Sequence, residues 1–248
     1  MTIGLELVQR SSLSEAVFDQ LCQQILTDRV EPGQSLPPER QLAEVLGVNR
    51  GAVREGLKRL AQAGLVEQRH GGGTFVLDYR RSADLGLLGR LLLTQGGEVD
   101  VRVARSIMEM RATLAPDIAR LCALRATPAQ IAALEAVVAQ LRDTDDLDAL
   151  QTLSLEFWEQ LVEGSGNIAY RLALNTLYRT YEQIRGLLLQ PLALELRAHE
   201  RYAELVRAVG LGDGAAAQRE AAAIVALGTA GLETAFELLD QLRAGAQS

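Results

Sequence analysis

The first part of the chain carries apolar residues at helical spacing. Near the N-terminus they recur every four positions: Leu13, Val17, Leu21 and Ile25. A second helix is predicted to begin near Pro38 and to end at Gly47, because proline favours the first turn of a helix and glycine its end. A third is predicted between Asn49, a good N-cap residue, and Gly64. Three short helices are therefore expected before residue 65.

A β-hairpin is predicted after the third helix. Two strand-like runs, Leu65–Gln68 and Thr74–Leu77, flank a tip that contains three consecutive glycines. The order helix, helix, turn, helix, hairpin is that of a winged helix-turn-helix, which we assign to residues 1–78. Residues 79–84 are interpreted as a linker.

The remainder, residues 85–248, has the pattern of helices only. The predicted helices are about Ala83–Gln95, Asp100–Arg125, Pro128–Arg142, Asp146–Glu163, Ile168–Leu189, Leu192–Val209 and Asp213–Leu242. Glycine, proline or asparagine lies at most of the breaks between them. The predicted fold class is therefore mainly α, with an N-terminal winged helix-turn-helix and a C-terminal all-α bundle.

Composition is consistent with two ordered domains. The 248 residues are 48% hydrophobic, enough for two packed cores. The richest apolar run, Leu85–Leu93, is interrupted by glycine and arginine, so no membrane span is expected. The first ten residues lack the pattern of a signal peptide, and a cytoplasmic location without a membrane partner is expected. Cys22 and Cys122 lie in apolar helical patterns and are predicted to be buried structural residues.

The net charge of −7 by itself argues against a nucleic-acid partner, but the charges are unevenly distributed along the chain. Residues 40–81 carry eight basic side chains against four acidic ones, whereas residues 82–248 carry fifteen against twenty-two. On the third helix Arg50, Arg54 and Lys58 form a stripe at intervals of four. Such a stripe is typical of a DNA-recognition helix or of an ordinary solvated face.

Four segments, residues 36–43, 48–57, 64–66 and 69–76, closely resemble the DNA-binding domain of the GntR family of bacterial regulators. They read LPPERQLA, VNRGAVREGL, GLV and RHGGGTFV. The resemblance covers about residues 10–78. It implies that Arg40, Asn49, Arg50 and Arg54 contact phosphates and bases in the major groove of operator DNA.

Further contacts follow from the same resemblance. His70 and Gly71, at the tip of the hairpin, are expected in the minor groove, although a lone histidine is often an ordinary surface residue. Arg69 is expected to contact a phosphate or to remain an idle surface charge. On the third helix the small residues Gly51 and Ala52 allow close approach to DNA, and Lys58 adds a phosphate contact.

The helical part resembles the FadR-type subgroup of this family. The similarity is carried by Glu109-Met110-Arg111, Phe157-Trp158 and Ser165-Gly166-Asn167 and spans about residues 83–240. It implies a bundle of six or seven helices around one ligand cavity. The family and the symmetry of DNA together imply a homodimer on a palindromic operator.

Most members of this subgroup hold a divalent metal through one aspartate and three histidines. The matching positions here are Ser154, Trp158, Tyr202 and Ile224. None of these side chains replaces an imidazole ligand. The chain has two histidines, and the second, His199, is predicted to be an exposed helix residue. No metal and no cofactor are therefore expected.

Loss of this metal site is typical of the fatty-acid-responsive branch of the subgroup, which binds long-chain acyl-CoA. A long-chain acyl-CoA or related apolar carboxylate is the leading expected effector. The candidate effector-binding residues are Arg111, Trp158, Tyr181, Tyr202 and Gly228. Each of these could instead serve core packing, and Arg111 could form an interhelical salt bridge.

Other functions remain open at this point. A metal-free or atypical sensor of a small hydroxy acid or sugar acid is the first alternative, and a helical module that no longer reads DNA is the second. An enzyme is not expected, because the one lysine of the chain, Lys58, lies in the recognition helix and excludes a pyridoxal-phosphate domain. No nucleotide-binding or hydrolase motif is present. The expected function is a DNA-binding regulator, in its simplest form a repressor released by its effector.

Overall fold

The computed structural model describes residues 13–69, 72–94 and 96–246 and divides them into two compact units. The first unit comprises the described residues up to Leu91 together with 96–97, and the second comprises 92–94 and 98–246. Helices dominate, and the described strands form one two-stranded antiparallel sheet. The predicted fold class, a winged helix-turn-helix before an all-helical bundle, is confirmed.

Three helices build most of the first unit. They are α1, Leu13–Leu26, α2, Glu39–Leu46, and α3, Arg50–Gln62. Their apolar faces meet in one core, in which Val53 and Leu60 are fully buried. Helix α2 ends at Gly47, whose φ of 65° lies in the left-handed region that glycine adopts without strain.

The second strand of the hairpin is hydrogen-bonded along both of its edges. Strands β1, Val66–Arg69, and β2, Gly73–Val76, pair in an antiparallel manner with Val66 opposite Val76. On the other side of β2, Leu36 N–H donates to the Thr74 carbonyl at 2.8 Å. The hairpin therefore projects from a supported base.

The segment 79–84, predicted as a linker, forms part of the first unit. Helix α4, Tyr79–Ser82, precedes a 3₁₀ turn at Leu85–Leu87 and helix α5, Leu88–Leu92. The Ser82 hydroxyl donates to the Gly64 carbonyl at 2.6 Å. A Cβ on Gly64 would overlap the backbone of Ser82, so glycine is required where these two segments meet.

Eight helices form the second unit. They are α6, Val101–Arg125, α7, Pro128–Arg142, α8, Leu147–Ser165, α9, Ile168–Glu182, α10, Arg185–Leu188, α11, Ala193–Leu196, α12, His199–Gly210, and α13, Gly214–Ala246. Four of the long helices begin beside a side-chain cap: Asp100, Thr127, Asp146 and Asn167. These caps explain why the predicted starts of α6 to α9 agree with the structure to within a residue.

Two long helices predicted from the sequence are broken in the structure. Residues 168–189 form α9 and α10, and residues 192–209 form α11 and α12. At the first break the buried Gln151 donates through Nε2 to the Arg185 carbonyl and accepts from Arg185 Nε at 2.9 Å. Hydrogen bonds between distant residues thus favour the break, and helical periodicity does not report them.

Helices α6 and α13 pack closely at the centre of this unit. Ala119 and Cys122 on α6, and Ala217 and Ala221 on α13, are fully buried. Farther along α13, a Cβ on Gly231 would overlap the Pro191 carbonyl. Small residues therefore set how closely the neighbouring backbone approaches α13.

Helix α13 corrects the expectation that no segment reaches membrane-spanning length. Gly214–Gln241 spans 28 residues; its most apolar stretch of 18 residues has a mean hydropathy of 1.5, and 28% of that stretch is buried. Nine alanines supply much of this apolar character. By length and composition alone the segment could cross a membrane, but its buried residues belong to the core of the helical unit.

Each unit contains one buried thiol, and we expect both to resist alkylation in the folded protein. Burial raises the pKa of Cys22 to about 11 and that of Cys122 to about 12, so little reactive thiolate forms near pH 8. Iodoacetamide labelling followed by mass spectrometry should show each thiol reacting about 100-fold more slowly than in guanidinium chloride. Rapid native labelling of either thiol would contradict its burial.

Candidate DNA-binding face and candidate effector site

The cationic stripe predicted on α3 is exposed. The side chains of Arg54 and Lys58 are 58% and 54% exposed. Arg50 is also exposed, and within the described part of the chain it has no hydrogen-bond or ion-pair partner. The structure therefore brings these three predicted contacts to one exposed surface, on which Arg50 has no ion-pair partner from the described part of the chain.

The N-terminus of α3 defines what Asn49, Gly51 and Ala52 can do. Asn49 Oδ1 accepts a hydrogen bond from Ala52 N–H at 2.9 Å, which leaves the Nδ2 amino group of Asn49 as the donor for a ligand. Gly51 is exposed. Ala52 is 9% exposed and belongs to the buried side of the helix, so its side chain offers little surface to DNA, and its predicted role in close approach stays a prediction.

Acidic residues accompany three of the predicted cations on α2 and α3. Glu39 on α2 accepts two hydrogen bonds from Arg54, from Nε at 3.3 Å and Nη2 at 3.0 Å, and these bonds raise the pKa of Arg54. Lys58 lies 2.7 Å from Glu55. Arg40, on α2, is 74% exposed and lies 3.9 Å from Glu44. These pairs orient the cations and reduce the net positive charge of the face.

The hairpin holds Arg69 in a defined position. Its guanidinium stacks over the Phe75 ring at 4.6 Å and its Nε lies 3.2 Å from Glu67. The side chain remains 57% exposed and is available to a phosphate. The predicted tip contacts His70 and Gly71 lie outside the described residues.

In the helical unit the five predicted effector-binding residues converge on one ion pair. Arg111 on α6 donates to Glu195 on α11 through both terminal nitrogens, from Nη1 to Oε2 at 3.0 Å and from Nη2 to Oε1. The side chain of Glu195 is 2% exposed and that of Arg111 is 28% exposed. Although burial by itself lowers the pKa of Arg111, the charge of Glu195 raises it overall.

Glu195 is the residue that the sequence analysis missed. It is the one charged residue between Leu192 and Leu196. The sequence pattern predicts only that this segment belongs to a long helix. A lone acid in an apolar run signals a buried charge, and a buried charge requires a partner. The predicted alternative for Arg111, an interhelical salt bridge, is therefore what the structure shows.

Tyr202 and Trp158 form an aromatic wall beside this pair. The Tyr202 hydroxyl lies 3.0 Å from Ser154 Oγ, and its ring meets Phe157 edge-on at 4.8 Å. Burial, followed by the nearby charge of Glu195, raises the pKa of Tyr202 above its usual range. The Arg111 guanidinium lies 5.9 Å from the centre of the Trp158 ring, whose Nε1 has no hydrogen-bond partner among the described residues.

Tyr181 and Gly228 complete the cluster. Burial raises the pKa of Tyr181, while the nearby Arg111 charge opposes this effect. A Cβ on Gly228 would overlap Oε2 of Glu195 and would lie 2.9 Å from Leu192 Cδ2. Gly228 therefore provides the space that the Glu195 carboxylate occupies.

The positions that hold a metal in the resembled subgroup do not form a metal-binding set here. Ser154 and Tyr202 are hydrogen-bonded to each other, Trp158 packs beside them, and Ile224 is fully buried. Within residues 13–69, 72–94 and 96–246, no three His, Cys, Asp or Glu side chains are grouped to hold a metal ion. His199, predicted to be exposed, is half-buried at the start of α12.

Comparison with known families identifies both units. Residues 13–76 match the gntR family of bacterial regulatory proteins, and residues 106–227 match the FCD domain. The chain belongs to the GntR family. It is a DNA-binding transcriptional regulator with an FCD effector-binding domain, which confirms the resemblance drawn from the sequence, including its FadR-like character.

Relatives of this GntR-family chain are themselves regulators. The HTH-type transcriptional regulator Mce2R of Mycobacterium tuberculosis is 39% identical, over 93% of this chain and 95% of its own length. A fatty acid metabolism regulator protein of Edwardsiella ictaluri is 30% identical, over 79% of this chain and 86% of its own. The solved structure of Lar, which controls the Listeria monocytogenes agr system, shares the fold, with a TM-score of 0.50, 15% identity and coverage of 91% and 99%.

The hydrogen bond between Tyr202 and Ser154 should be measurable as coupling between two substitutions. Tyr202→Phe leaves the Ser154 hydroxyl without its buried partner and should lower the free energy of unfolding by about 1–2 kcal/mol. Ser154→Ala in the Tyr202→Phe background should recover part of this loss, because both polar groups are then absent. Urea denaturation followed by circular dichroism measures the four free energies; strictly additive losses would contradict the bond.

Proposed function

We propose that this GntR-family regulator is a homodimeric repressor that binds a palindromic operator and leaves it when an apolar carboxylate or a long-chain acyl-CoA binds the helical unit. The single observation that carries the effector half is the convergence of Arg111, Trp158, Tyr181, Tyr202 and Gly228 around the buried carboxylate of Glu195. Buried charge surrounded by apolar core is typical of a ligand site.

Operator binding is proposed to depend on the α3 stripe and the hairpin. Arg50, which is exposed and has no partner among the described residues, has the chemistry to bond guanine O6 and N7 in the major groove. Arg54, held by Glu39, and Arg40 are suited to phosphates. Asn49 has its Nδ2 donor available for an acceptor on DNA. His70 and Gly71 remain proposed minor-groove contacts.

An apolar effector is favoured by what surrounds the ion pair. The helical unit has one continuous apolar core, and the polar groups that enter it near Arg111 are few and mostly hydrogen-bonded. Such a site binds a long apolar chain by burying its surface and orients one polar end. The name of the Edwardsiella ictaluri relative, a fatty acid metabolism regulator, supports the same effector class.

Helix α9 is the part of this unit best suited to admit a ligand. Of its fifteen residues only Thr180 is buried, whereas Ile168 and Leu172 are 71% and 60% exposed. Tyr170, Leu174 and Tyr181 are only partly buried against the core, and Tyr178 Oη donates to the Leu155 carbonyl at 2.8 Å. Segments with little apolar burial open at low free-energy cost.

A second effector class is favoured by the hydroxyl and amide groups in the same core. Gln151 is fully buried and hydrogen-bonds with Arg185, and Ser154 and Tyr202 present neighbouring hydroxyls. A small hydroxy acid or sugar acid would find hydrogen-bonding partners there. Such a ligand would gain little from the apolar core, so the two classes differ in their dependence on chain length.

Arg50→Ala tests operator recognition. Loss of its contacts should weaken binding to a duplex from the chain's own upstream region by about tenfold or more, a cost of about 1–3 kcal/mol. If Arg50 contacts a phosphate, the slope of log affinity against log salt should also fall by about one. Fluorescence anisotropy at several salt concentrations provides both values.

Arg207→Ala is the matched control, because Arg207 is 63% exposed on α12 and pairs with Glu204 in the helical unit. It should leave operator affinity unchanged. Equal losses in the two variants, or wild-type binding that does not depend on salt or sequence, would refute the proposed recognition face.

Effector class is tested by titrating the operator complex with butyryl-, octanoyl- and oleoyl-CoA and with lactate and gluconate. An apolar site should gain about 0.8 kcal/mol per buried methylene, so release from the operator and thermal stabilisation should both increase with chain length. Gel shifts and thermal unfolding give the two readouts. Release by lactate or gluconate alone would establish the second class instead.

A further inference from the structure

The candidate effector site already contains a carboxylate. Glu195 lies against Arg111 in the two-bond arrangement with which a guanidinium recognises a carboxylate ligand. Its side chain is 2% exposed, and no other acidic side chain pairs with Arg111 among the described residues. The Arg111 guanidinium, which would anchor a carboxylate ligand, is therefore already paired with a carboxylate of the protein.

The surroundings are shaped to accept this carboxylate. Gly228 on α13 has no side chain in the space taken by Glu195 Oε2, and a Cβ there would also lie 2.9 Å from Leu192 Cδ2. Gly231, one turn further along, lets the Pro191 carbonyl approach α13 in the same way. The two glycines thus allow the segment that carries Glu195 to pack closely against α13.

That segment is a short helix with a break at its C-terminal end. Helix α11 has four residues, and α12 begins only after Arg197 and Ala198. Leu192 and Leu196 anchor the segment in the core, while Leu194 is 66% exposed. A short element with non-helical residues beside it can change position without disturbing the long helices.

We propose that Glu195 is a built-in competitor of the effector: the effector's own carboxylate takes its place on Arg111, and the displaced Glu195 carries α11 to a second position. This inference rests on the proposed function, because it requires an anionic effector in the helical unit. In this proposal Glu195 determines how tightly the effector binds and which chemical class of effector is accepted.

The competitor selects among ligands by their charge. A free carboxylate can exchange with Glu195, because the Arg111 guanidinium is paired with an anion both before and after the exchange. A neutral end group, whether an alcohol or the thioester of an acyl-CoA, would leave Arg111 without its anion. Of the two apolar effectors proposed above, the arrangement therefore favours the free carboxylate.

Oleate and oleyl alcohol are the probes, with Trp158 as the reporter. Trp158 is the only tryptophan of the chain, and its ring lies 5.9 Å from the Arg111 guanidinium, so its emission should respond when the anion on Arg111 changes. Full-length wild type, Glu195→Gln and Glu195→Asp are titrated. Glu204→Gln, which removes a surface partner of Arg207, is the matched control.

Glu195→Gln should bind oleate at least tenfold more tightly than wild type, with oleyl alcohol and the control variant unchanged. Glu195→Asp, which keeps the charge on a shorter side chain, should show a smaller gain and serves if the glutamine variant does not fold. Gly228→Ala added to Glu195→Gln should abolish the gain, because its methyl group takes the space that either carboxylate needs.

Equal or weaker oleate binding by Glu195→Gln, no binding by it, or a gain shared by oleyl alcohol would each overturn the inference. Failure of the proposed function has a different signature. In that case no oleoyl ligand changes the operator affinity of the wild type, whereas Glu195→Gln still gains affinity for oleate.

Discussion

A charge pair in an apolar helical core constrains the structure around it. Removing either partner of a buried ion pair typically costs about 3–5 kcal/mol, because the remaining charge stays out of water. Arg111 and Glu195 must therefore be delivered together by α6 and α11, with room left for the carboxylate by Gly228. The break between α11 and α12 lies close to this ion pair, and so do the aromatic rings of Trp158 and Tyr202.

The DNA-binding face obeys a different constraint, because its charges remain in water. Surface ion pairs contribute little to stability, generally below about 1 kcal/mol. Glu39, Glu44 and Glu55 therefore influence the direction and strength of the local potential more than they hold the domain together. An acidic protein can in this way present a cationic face of limited strength, which favours specific over indiscriminate contacts with DNA.

Much of this architecture could be predicted because it is encoded locally. Asn49, Asp100, Thr127 and Asn167 cap helices in the structure, and the apolar spacing of α1 and α3 matches their buried faces. Recognition of the family placed the candidate effector residues, and the structure brings those five together. Their roles as ligand contacts stay predictions.

The contacts that could not be predicted from the sequence join residues far apart in the chain. Glu195 meets Arg111 across 84 positions, and Gln151 meets Arg185 across 34, so no local pattern reports either contact. Ala52 was predicted to allow close approach to DNA because it is small, whereas the structure places its side chain on the buried side of α3. The alanine-rich α13 illustrates a different problem. Its composition resembles that of a membrane span, and only its packing shows that its buried residues belong to the core.

The bond between Arg54 and Glu39 has a consequence for the DNA contact proposed for Arg54. A free arginine loses up to about 2 kcal/mol of rotamer entropy when it is immobilised on a ligand. Here the side chain is already oriented by two hydrogen bonds before DNA arrives. In the proposed contact with DNA, part of this entropy is therefore already lost in the folded protein, and the guanidinium favours a phosphate that matches its direction.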